Sequence, residues 1–277
     1  MFFLYFCHKN RRMTFSVITI NYNNADGLRR TIESVVRQTS VDYEYIVIDG
    51  GSTDGSLDVI KEYDSSISYW ISERDNGIYH AMNKGVAQAH GDYCIFMNSG
   101  DCFYDNEVLV GFFQECDGHD IVIGKVISKS KKRVLFTPPS RELSFYYLYS
   151  GTIPHQGSFI KTELLRIYPY DESLSIVSDW KFFVQAVVFH NCSVKYVNRL
   201  VAMFDEEGIS TSNPDLMWKE KEQVFQSMFP LRVLADYQNM KSSECLTQSL
   251  TPKLRQHYRI DKFIYRMANL LLKLLKE

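Results

Sequence analysis

YIVIDGGSTDGS at residues 45–56 is the stretch that decides the fold. It starts as an apolar run typical of a buried β-strand and ends abruptly in small residues and carboxylates. A second run, YCIFM at residues 93–97, opens in the same way into NSGD at 98–101. Ligands in open α/β sheets bind beyond the carboxyl ends of the strands. Two acidic strand ends therefore predict a site for a polar ligand with a divalent metal.

Strands and helices alternate outward from these two stretches. Apolar segments typical of strands lie at about 15–20, 45–48, 68–71 and 93–97. Segments with apolar residues at helical spacing lie between them, at roughly 26–38, 55–63 and 78–89. This alternation predicts right-handed crossovers, so the expected fold class is α/β with a mainly parallel central sheet flanked by helices.

Three regions follow from the pattern along the chain. Residues 1–12 are apolar and then basic, the wrong order for a secretory signal, and we expect a disordered extension or a stretch ahead of the true start at Met13. We expect the α/β domain over residues 13–215 and a helical region over 216–277. No segment reaches the roughly 18 apolar residues that a membrane-spanning helix needs.

Composition excludes several classes of protein. A net charge of −2 over 277 residues gives no general attraction to nucleic acid. Six cysteines form no Cys-x-x-Cys pair and no zinc spacing, which indicates reduced thiols in the cytoplasm. Neither a P-loop nor the Gly-x-Gly-x-x-Gly motif of dehydrogenases occurs in the chain.

Five motifs occur in order and with the spacing of one known family: SVITINYN (16–23), IDGGSTDG (48–55), ERDNGIY (73–79), AMNKG (81–85) and the segment 91–101. Together they resemble family 2 glycosyltransferases of the GT-A fold, especially bacterial enzymes that build capsule, exopolysaccharide or O-antigen repeat units. The resemblance covers residues 15 to about 212. It implies an inverting transferase that moves a sugar from a nucleotide-sugar donor, a UDP-sugar, to a hydroxyl of a glycan or polyprenyl-diphosphate-linked acceptor.

The donor's diphosphate gains negative charge as the glycosyl bond breaks. A Mn²⁺ or Mg²⁺ held by a carboxylate neutralises that charge without proton transfer. Asp101, at a strand end, is the candidate ligand, and the alternative is a turn or helix-cap aspartate. The family usually shows Asp-x-Asp-Asp where this chain has Asn98-Ser99-Gly100-Asp101, so Gly100 stands where the metal-binding carboxylate is most common.

The resemblance also assigns the donor contacts. It implies that Asp49 accepts the N3–H of uracil, that Tyr22 packs beside the base, and that Asp75 lies near the ribose or phosphate. An Asx-turn for Asp49 and ordinary packing for Tyr22 are the alternatives. Further donor contacts are expected at Ile20, Asn83 and Asn98.

Inversion requires a general base that activates the acceptor hydroxyl. The family places a carboxylate at the start of a late helix, and Asp179 fits that place. The alternative is an acid that only stabilises a first helical turn through the helix dipole. His155 and Trp180 are expected on the acceptor side, although His155 fits a buried structural histidine as well. Residues 206–210 resemble a mobile loop that closes over the donor.

The C-terminal segment 252–277 combines an apolar stripe at helical spacing with seven basic and two acidic side chains, a local charge of +5. A basic amphipathic helix of this kind lies at an anionic membrane surface. We therefore expect a cytoplasmic enzyme that is peripheral on the inner face of the cell membrane. The alternative is a stripe that packs on the catalytic domain or on a partner subunit.

Two other functions remain open from the residues. A nucleotidyltransferase has related architecture, although it normally carries a glycine-rich basic loop after its first strand, where this chain has NYNN at 21–24. A degenerate, non-catalytic transferase-like assembly subunit is the second alternative, and Gly100 is the feature that suggests it.

Overall fold

The structure is a computed structural model that describes residues 14–39, 42–128, 134–136, 143–204, 213–236 and 238–239. The expected N-terminal extension, the loop at 206–210 and the basic segment at 252–277 lie outside these residues. Described residues up to Glu220 form one compact unit, and those from Lys221 onward form a second. Among the described helices, none has the length and apolar character required to cross a membrane.

The first half of the domain alternates strands and helices, as the pattern predicts. Its elements are β1 (Phe15–Asn21), α1 (Ala25–Val36), β2 (Tyr43–Asp49), α2 (Ser56–Glu62), β3 (Tyr69–Ser72), α3 (Ile78–Gln88) and β4 (Tyr93–Phe96). The strands pair in parallel in the order β3-β2-β1-β4. All seven residues of β1 are buried, which is typical of a parallel strand covered on both faces.

The second half extends and curls the same sheet. Its elements are β5 (Cys102–Phe103), α4 (Val108–Phe113), β6 (Ile121–Ser128), β7 (Val134–Phe136), α5 (Phe145–Ser150), β8 (Ser158–Lys161), α6 (Thr162–Ile167), α7 (Ser178–Phe183), β9 (Val194–Phe204) and α8 (Pro214–Met228). β8 pairs antiparallel with β4 and β6, whereas β9 runs parallel to β6. A π-helical segment, Val184–Phe189, continues α7. Among the described strands, β1·β2 and β6·β9 have the longest registers, seven residue pairs each, and both are parallel.

A close backbone crossing fixes the start of β1 against the turn before β4. The Gly91 N–H donates to Ser16 Oγ and to Glu44 Oε1, both at 2.9 Å. A Cβ on Gly91 would lie 2.6 Å from the Phe15 carbonyl carbon and from the Ser16 nitrogen. Only glycine therefore allows β1 and β4 to start side by side, and the ends of these strands carry the acidic residues.

Gly91→Ala is expected to destabilise the domain by roughly 1–3 kcal/mol, since backbone atoms block the added methyl group. Urea denaturation of the purified protein measures the change. Gly151→Ala is the matched control, because its new Cβ would meet Tyr147 O at an ordinary 3.4 Å. Equal stability of the two variants would contradict the close crossing.

Candidate functional site

A cavity of about 910 Å³ opens where β1, β2 and β4 end. Six predicted site residues line it: Ile20, Tyr22, Asp75, Asn98, Asp101 and His155. Residues that sequence reasoning missed complete the wall: Asn21, Asn24, Arg30, Gly50, Gly51, Arg74, Gly77, Ile78, Ala81, Ser99, Gly100, Gln156 and Phe204. The volume lies within the roughly 300–1,000 Å³ of small-molecule sites.

Asp49 is fully buried and is not among the residues that line the cavity. Its Oδ1 accepts hydrogen bonds from Asn21 Nδ2 at 2.7 Å and Ser52 Oγ at 2.6 Å. Its Oδ2 accepts from Ser72 Oγ at 2.6 Å and from the Gly51 and Ser52 N–H groups at 3.2 and 2.9 Å. The carboxylate thus builds the turn after β2, and this geometry favours the turn alternative over contact with a base.

The charge of Asp49 is stabilised by these bonds. Burial by itself raises the pKa of a carboxyl group, but the donors from Ser52, Ser72 and Asn21 outweigh burial and hold the pKa of Asp49 below its ordinary 3.8. The residue therefore stays ionised in the folded protein at neutral pH.

Tyr22 and Asp75 face each other across the backbone of Gly50. A Cβ on Gly50 would lie 3.2 Å from Tyr22 Cδ2 and 3.1 Å from Asp75 Oδ2. The Tyr22 side chain is 68% exposed at the cavity wall, so its ring offers an open face for stacking. Asp75 Oδ1 forms an ion pair with Lys84 Nζ at 2.7 Å, which fixes the carboxylate at the cavity edge.

The turn from Asn98 to Asp101 rests on α1. Thr31 Oγ1 accepts from the Gly100 N–H at 3.0 Å and donates to the Asp101 carbonyl at 2.6 Å. Gly100 has a φ of +105°, in a region that an aspartate rarely adopts. The backbone of this turn therefore requires glycine at the place where the family usually has a carboxylate.

Oxygen atoms suited to a divalent cation lie at this turn. The Asp101 side chain is part of the cavity wall and is 5% exposed, with its Oδ2 accepting from Gln156 Nε2 at 3.0 Å. Asn98 Oδ1 is buried without a hydrogen-bond partner among the described residues. Mg²⁺ and Mn²⁺ prefer carboxylate and amide oxygens and take phosphate and water in their remaining positions. The described residues contain no group of three or more His, Cys, Asp or Glu side chains that could hold a metal ion.

Two arginines lie on the cavity wall near different strand ends. Arg74 adjoins the turn after β2, where its backbone nitrogen would lie 3.2 Å from a Cβ on Gly51. Arg30 adjoins the turn after β4, where its carbonyl accepts from Cys102 Sγ at 3.6 Å. Both side chains are exposed, and neither has a hydrogen bond or ion pair with another described residue. Guanidinium groups in such positions bind phosphate oxygens.

Asp179 lies behind His155 and outside the set of residues that line the cavity. Its Oδ2 is 3.1 Å from His155 Nδ1, and its Oδ1 accepts from Tyr79 Oη at 3.1 Å and from the Trp180 N–H at 2.8 Å. His155 Nε2 is 3.1 Å from Asn98 Nδ2. Both ring nitrogens are satisfied if Nδ1 carries the proton and Nε2 accepts. Asn98, His155 and Asp179 thus form one row of contacts from the cavity wall to α7.

The structure does not bring Asn83 or Trp180 to the cavity. Asn83 binds the backbone of Tyr170 with both ends of its amide, at 2.9 and 3.0 Å, and contacts Glu172 at 2.8 Å. Trp180 is 1% exposed, and its Nε1 donates to the Leu148 carbonyl at 2.7 Å. Both side chains are held by packing and hydrogen bonds away from the site.

Asp49→Asn is expected to lower the free energy of unfolding by roughly 1–3 kcal/mol at neutral pH, because an amide nitrogen then faces N–H and hydroxyl donors. Because the pKa of Asp49 is lower in the folded than in the unfolded protein, its ionisation stabilises the fold at pH values above the unfolded pKa of 3.8. This stabilisation is lost as the pH falls through the folded pKa. The difference in free energy of unfolding between wild type and variant is therefore constant above about pH 4 and becomes smaller below it. Urea denaturation across pH measures this difference. The exposed Asp58→Asn serves as control, and an equal, pH-independent loss in both variants would refute the stabilising role of the Asp49 charge.

Comparison with known proteins agrees with this geometry. The model of the family "Glycosyl transferase family 2" matches residues 16–173. An uncharacterized glycosyltransferase of Mycobacterium tuberculosis is 32% identical over 207 residues, which cover 72% of this chain and 77% of the relative. A glycosyltransferase of PGL/p-HBAD biosynthesis from Mycobacterium bovis is 30% identical over 201 residues, which cover 70% and 77%.

Solved structures share the fold. TarS of S. aureus, in complex with UDP-GlcNAc, has a TM-score of 0.60 at 22% identity, covering 72% of this chain and 61% of the TarS chain. The mannosyltransferase PcManGT of Pyrobaculum calidifontis, in complex with GDP-Man and Mn²⁺, has a TM-score of 0.54 at 16% identity, covering 69% and 56%. This chain thus spans less than two thirds of the length of either structure.

The expected fold class is confirmed, and the family model covers more than half of the 277 residues. The two mycobacterial relatives and the fold shared with the solved structures agree with the family match. This chain belongs to glycosyltransferase family 2 and has the GT-A fold.

Proposed function

We propose that this glycosyltransferase moves a sugar from a UDP-sugar, with inversion, to a hydroxyl of a glycan or polyprenyl-diphosphate-linked acceptor in surface polysaccharide synthesis. The observation that carries the proposal is a single cavity. It combines an open aromatic ring, two arginines without a partner in the described part of the chain, and an Asn98–Asp101 turn connected to Asp179 through His155. UDP as the nucleotide is supported by TarS, which has been solved with UDP and with UDP-GlcNAc.

Donor binding in this proposal follows the charges along the wall. The base stacks on Tyr22 beside Gly50, where Asp75 borders the cavity. The diphosphate extends toward the turn after β4, where Arg30 supplies an exposed guanidinium group. Arg74 contributes a second guanidinium group from the wall beside Gly51. The two guanidinium groups favour a ligand with phosphate oxygens, and the carboxylates of Asp75 and Asp101 line the same cavity.

The leaving diphosphate needs further neutralisation as the glycosyl bond breaks. Asp101 and the Asn98 amide oxygen are the residues that would hold a Mn²⁺ or Mg²⁺ at this end, and PcManGT has been solved with Mn²⁺. When bound, such a cation stabilises the charge on the departing phosphate oxygens. Gln156 holds the Asp101 carboxylate in place from the protein side.

Asp179 is the proposed general base. The acceptor oxygen attacks the anomeric carbon, its proton passes to the Asp179 carboxylate, and the bond from that carbon to the diphosphate breaks in the same step. One displacement at one carbon inverts the configuration. Tyr79 and the Trp180 N–H hold one carboxylate oxygen, and His155 contacts the other. With its side chain 17% exposed, Asp179 lies close enough to the surface for an acceptor to reach it.

The acceptor and the cellular location are proposals from sequence and relatives. A lipid-linked acceptor is supported by the basic amphipathic segment at 252–277, which would hold the enzyme at the inner face of the membrane. The Mycobacterium bovis relative is a glycosyltransferase of PGL/p-HBAD biosynthesis. A degenerate, non-catalytic subunit has less support. The positive φ of Gly100 accounts for a glycine at this position, so the glycine is not by itself a sign of lost catalysis.

Nucleotide binding tests the donor site. UDP is expected to raise the thermal midpoint of the wild type more than GDP, dTDP or CMP, and Mn²⁺ is expected to increase the UDP shift, because a ligand of the folded state stabilises it. In Asp101→Asn, UDP alone should raise the thermal midpoint as in wild type, and Mn²⁺ should no longer increase that shift. The exposed Glu107→Gln should behave as wild type. A full Mn²⁺ increment in Asp101→Asn would refute Asp101 as a metal ligand.

Asp179→Asn tests the base. The variant should lose roughly 10²–10⁴ in turnover, the usual contribution of a general base, while UDP affinity stays within about twofold of wild type. Sugar transfer or UDP-sugar hydrolysis measures turnover, and calorimetry measures affinity. Glu163→Gln is the matched control, an exposed acid in the first turn of α6. If both variants keep full turnover, Asp179 only stabilises its helix and the proposed base is wrong.

A further inference from the structure

The loop before α7 presents three successive N–H groups to one buried carboxylate. Glu220 on α8 accepts from the Ser175 N–H at 2.7 Å through Oε1. Its Oε2 accepts from the Ile176 N–H at 2.9 Å and from the Val177 N–H at 3.2 Å. The side chain is 5% exposed. Successive backbone donors of this kind form a concave anion site, which this protein fills with its own carboxylate.

This carboxylate holds the loop ahead of α7 and not the first turn of the helix. α7 begins at Ser178, so the three N–H groups that donate to Glu220 all precede the first helical residue. Burying a carboxylate from a distant helix costs free energy unless hydrogen bonds satisfy it. The three bonds compensate for that cost and hold the loop in one position.

The fixed loop connects directly to Asp179. The peptide of Ile176 is held on both sides, its N–H by Glu220 and its carbonyl by Tyr79 Oη at 2.6 Å. The same Tyr79 oxygen lies 3.1 Å from Asp179 Oδ1. A shift of the Ile176 peptide would therefore move Tyr79, and Asp179 would lose one of the groups that orient its carboxylate.

We propose that Glu220 is a positioning residue for the transfer reaction. It holds residues 175–177 so that Tyr79 aims the Asp179 carboxylate at the acceptor hydroxyl. The inference rests on the proposed role of Asp179 as base. Glu220 does not border the cavity, so its loss should affect turnover and leave donor binding intact.

Glu220→Gln keeps the size of the side chain but places an amide group against three donors. The expected result is a fall of about 10- to 100-fold in the turnover of UDP-GlcNAc hydrolysis with Mn²⁺, the scale of a misplaced catalytic group. UDP affinity by calorimetry should stay within about twofold of wild type. Hydrogen exchange of the amides at 175–177 should become faster, because their acceptor is weakened. Asp215→Asn, an exposed charge removal on the same helix, should change none of these quantities.

A double variant separates positioning from general damage. Glu220→Gln added to Asp179→Asn should reduce turnover by less than about threefold further, because both changes act through the same carboxylate. A full additional loss would overturn the inference, as would a fall in UDP affinity that matches the fall in turnover. If Glu220→Gln fails to fold, Glu220→Asp keeps the charge, and its turnover should lie between wild type and Asp179→Asn.

The outcomes also separate the inference from the proposed function. If Asp179→Asn is inactive and Glu220→Gln is fully active, the role of Glu220 alone is wrong. If Asp179→Asn is fully active, the proposed base is wrong, and Glu220 cannot act through it. If wild type releases no UDP from UDP-GlcNAc, hydrogen exchange still decides, because unchanged protection at 175–177 in Glu220→Gln would refute the positioning role.

Discussion

The parallel hydrogen bonding that holds β1 between β2 and β4 is the constraint on which the site depends. Its register pairs Asn21 with Asp49 and continues past β4, where the Ser99 N–H donates to the Ile20 carbonyl at 3.1 Å. Three strands therefore end at one edge, and the cavity forms there. Because Gly91 has no side chain, the starts of β1 and β4 can lie side by side at the opposite edge of the sheet. A packing requirement at that edge therefore helps to place the cavity residues where the strands end.

Polar groups at this edge divide into two kinds. Asp49 is saturated by donors from three segments of chain, and it fixes the turn that carries Gly50. The side chains of Arg30 and Arg74, in contrast, are exposed and have no partner among the described residues. Asn21 Oδ1 and Asn98 Oδ1 are buried acceptors without a donor in the same part of the chain, and native proteins rarely leave buried acceptors unsatisfied. Their concentration around one cavity is what a binding site for a charged, hydrogen-bonding ligand requires.

Local pattern predicted much of the fold but less of the site. Apolar strands that end in small and acidic residues predicted the edge of the sheet at which the cavity lies, and Asp101 lines that cavity. Sequence could not show that Asp49 points into its own turn, because a buried and a cavity-facing carboxylate look alike after a strand. Arg30 and Glu220 were missed for another reason: each belongs to a helix whose spacing carries no sign of the distant loop that it meets.

A crystal structure of this protein with UDP and Mn²⁺ is the most direct test of the account. We expect the uracil ring against Tyr22 and the diphosphate at the Asn98–Asp101 turn, within reach of Arg30, with the metal on Asp101. UDP bound outside this cavity, or with its diphosphate directed away from Asp101, would contradict the account.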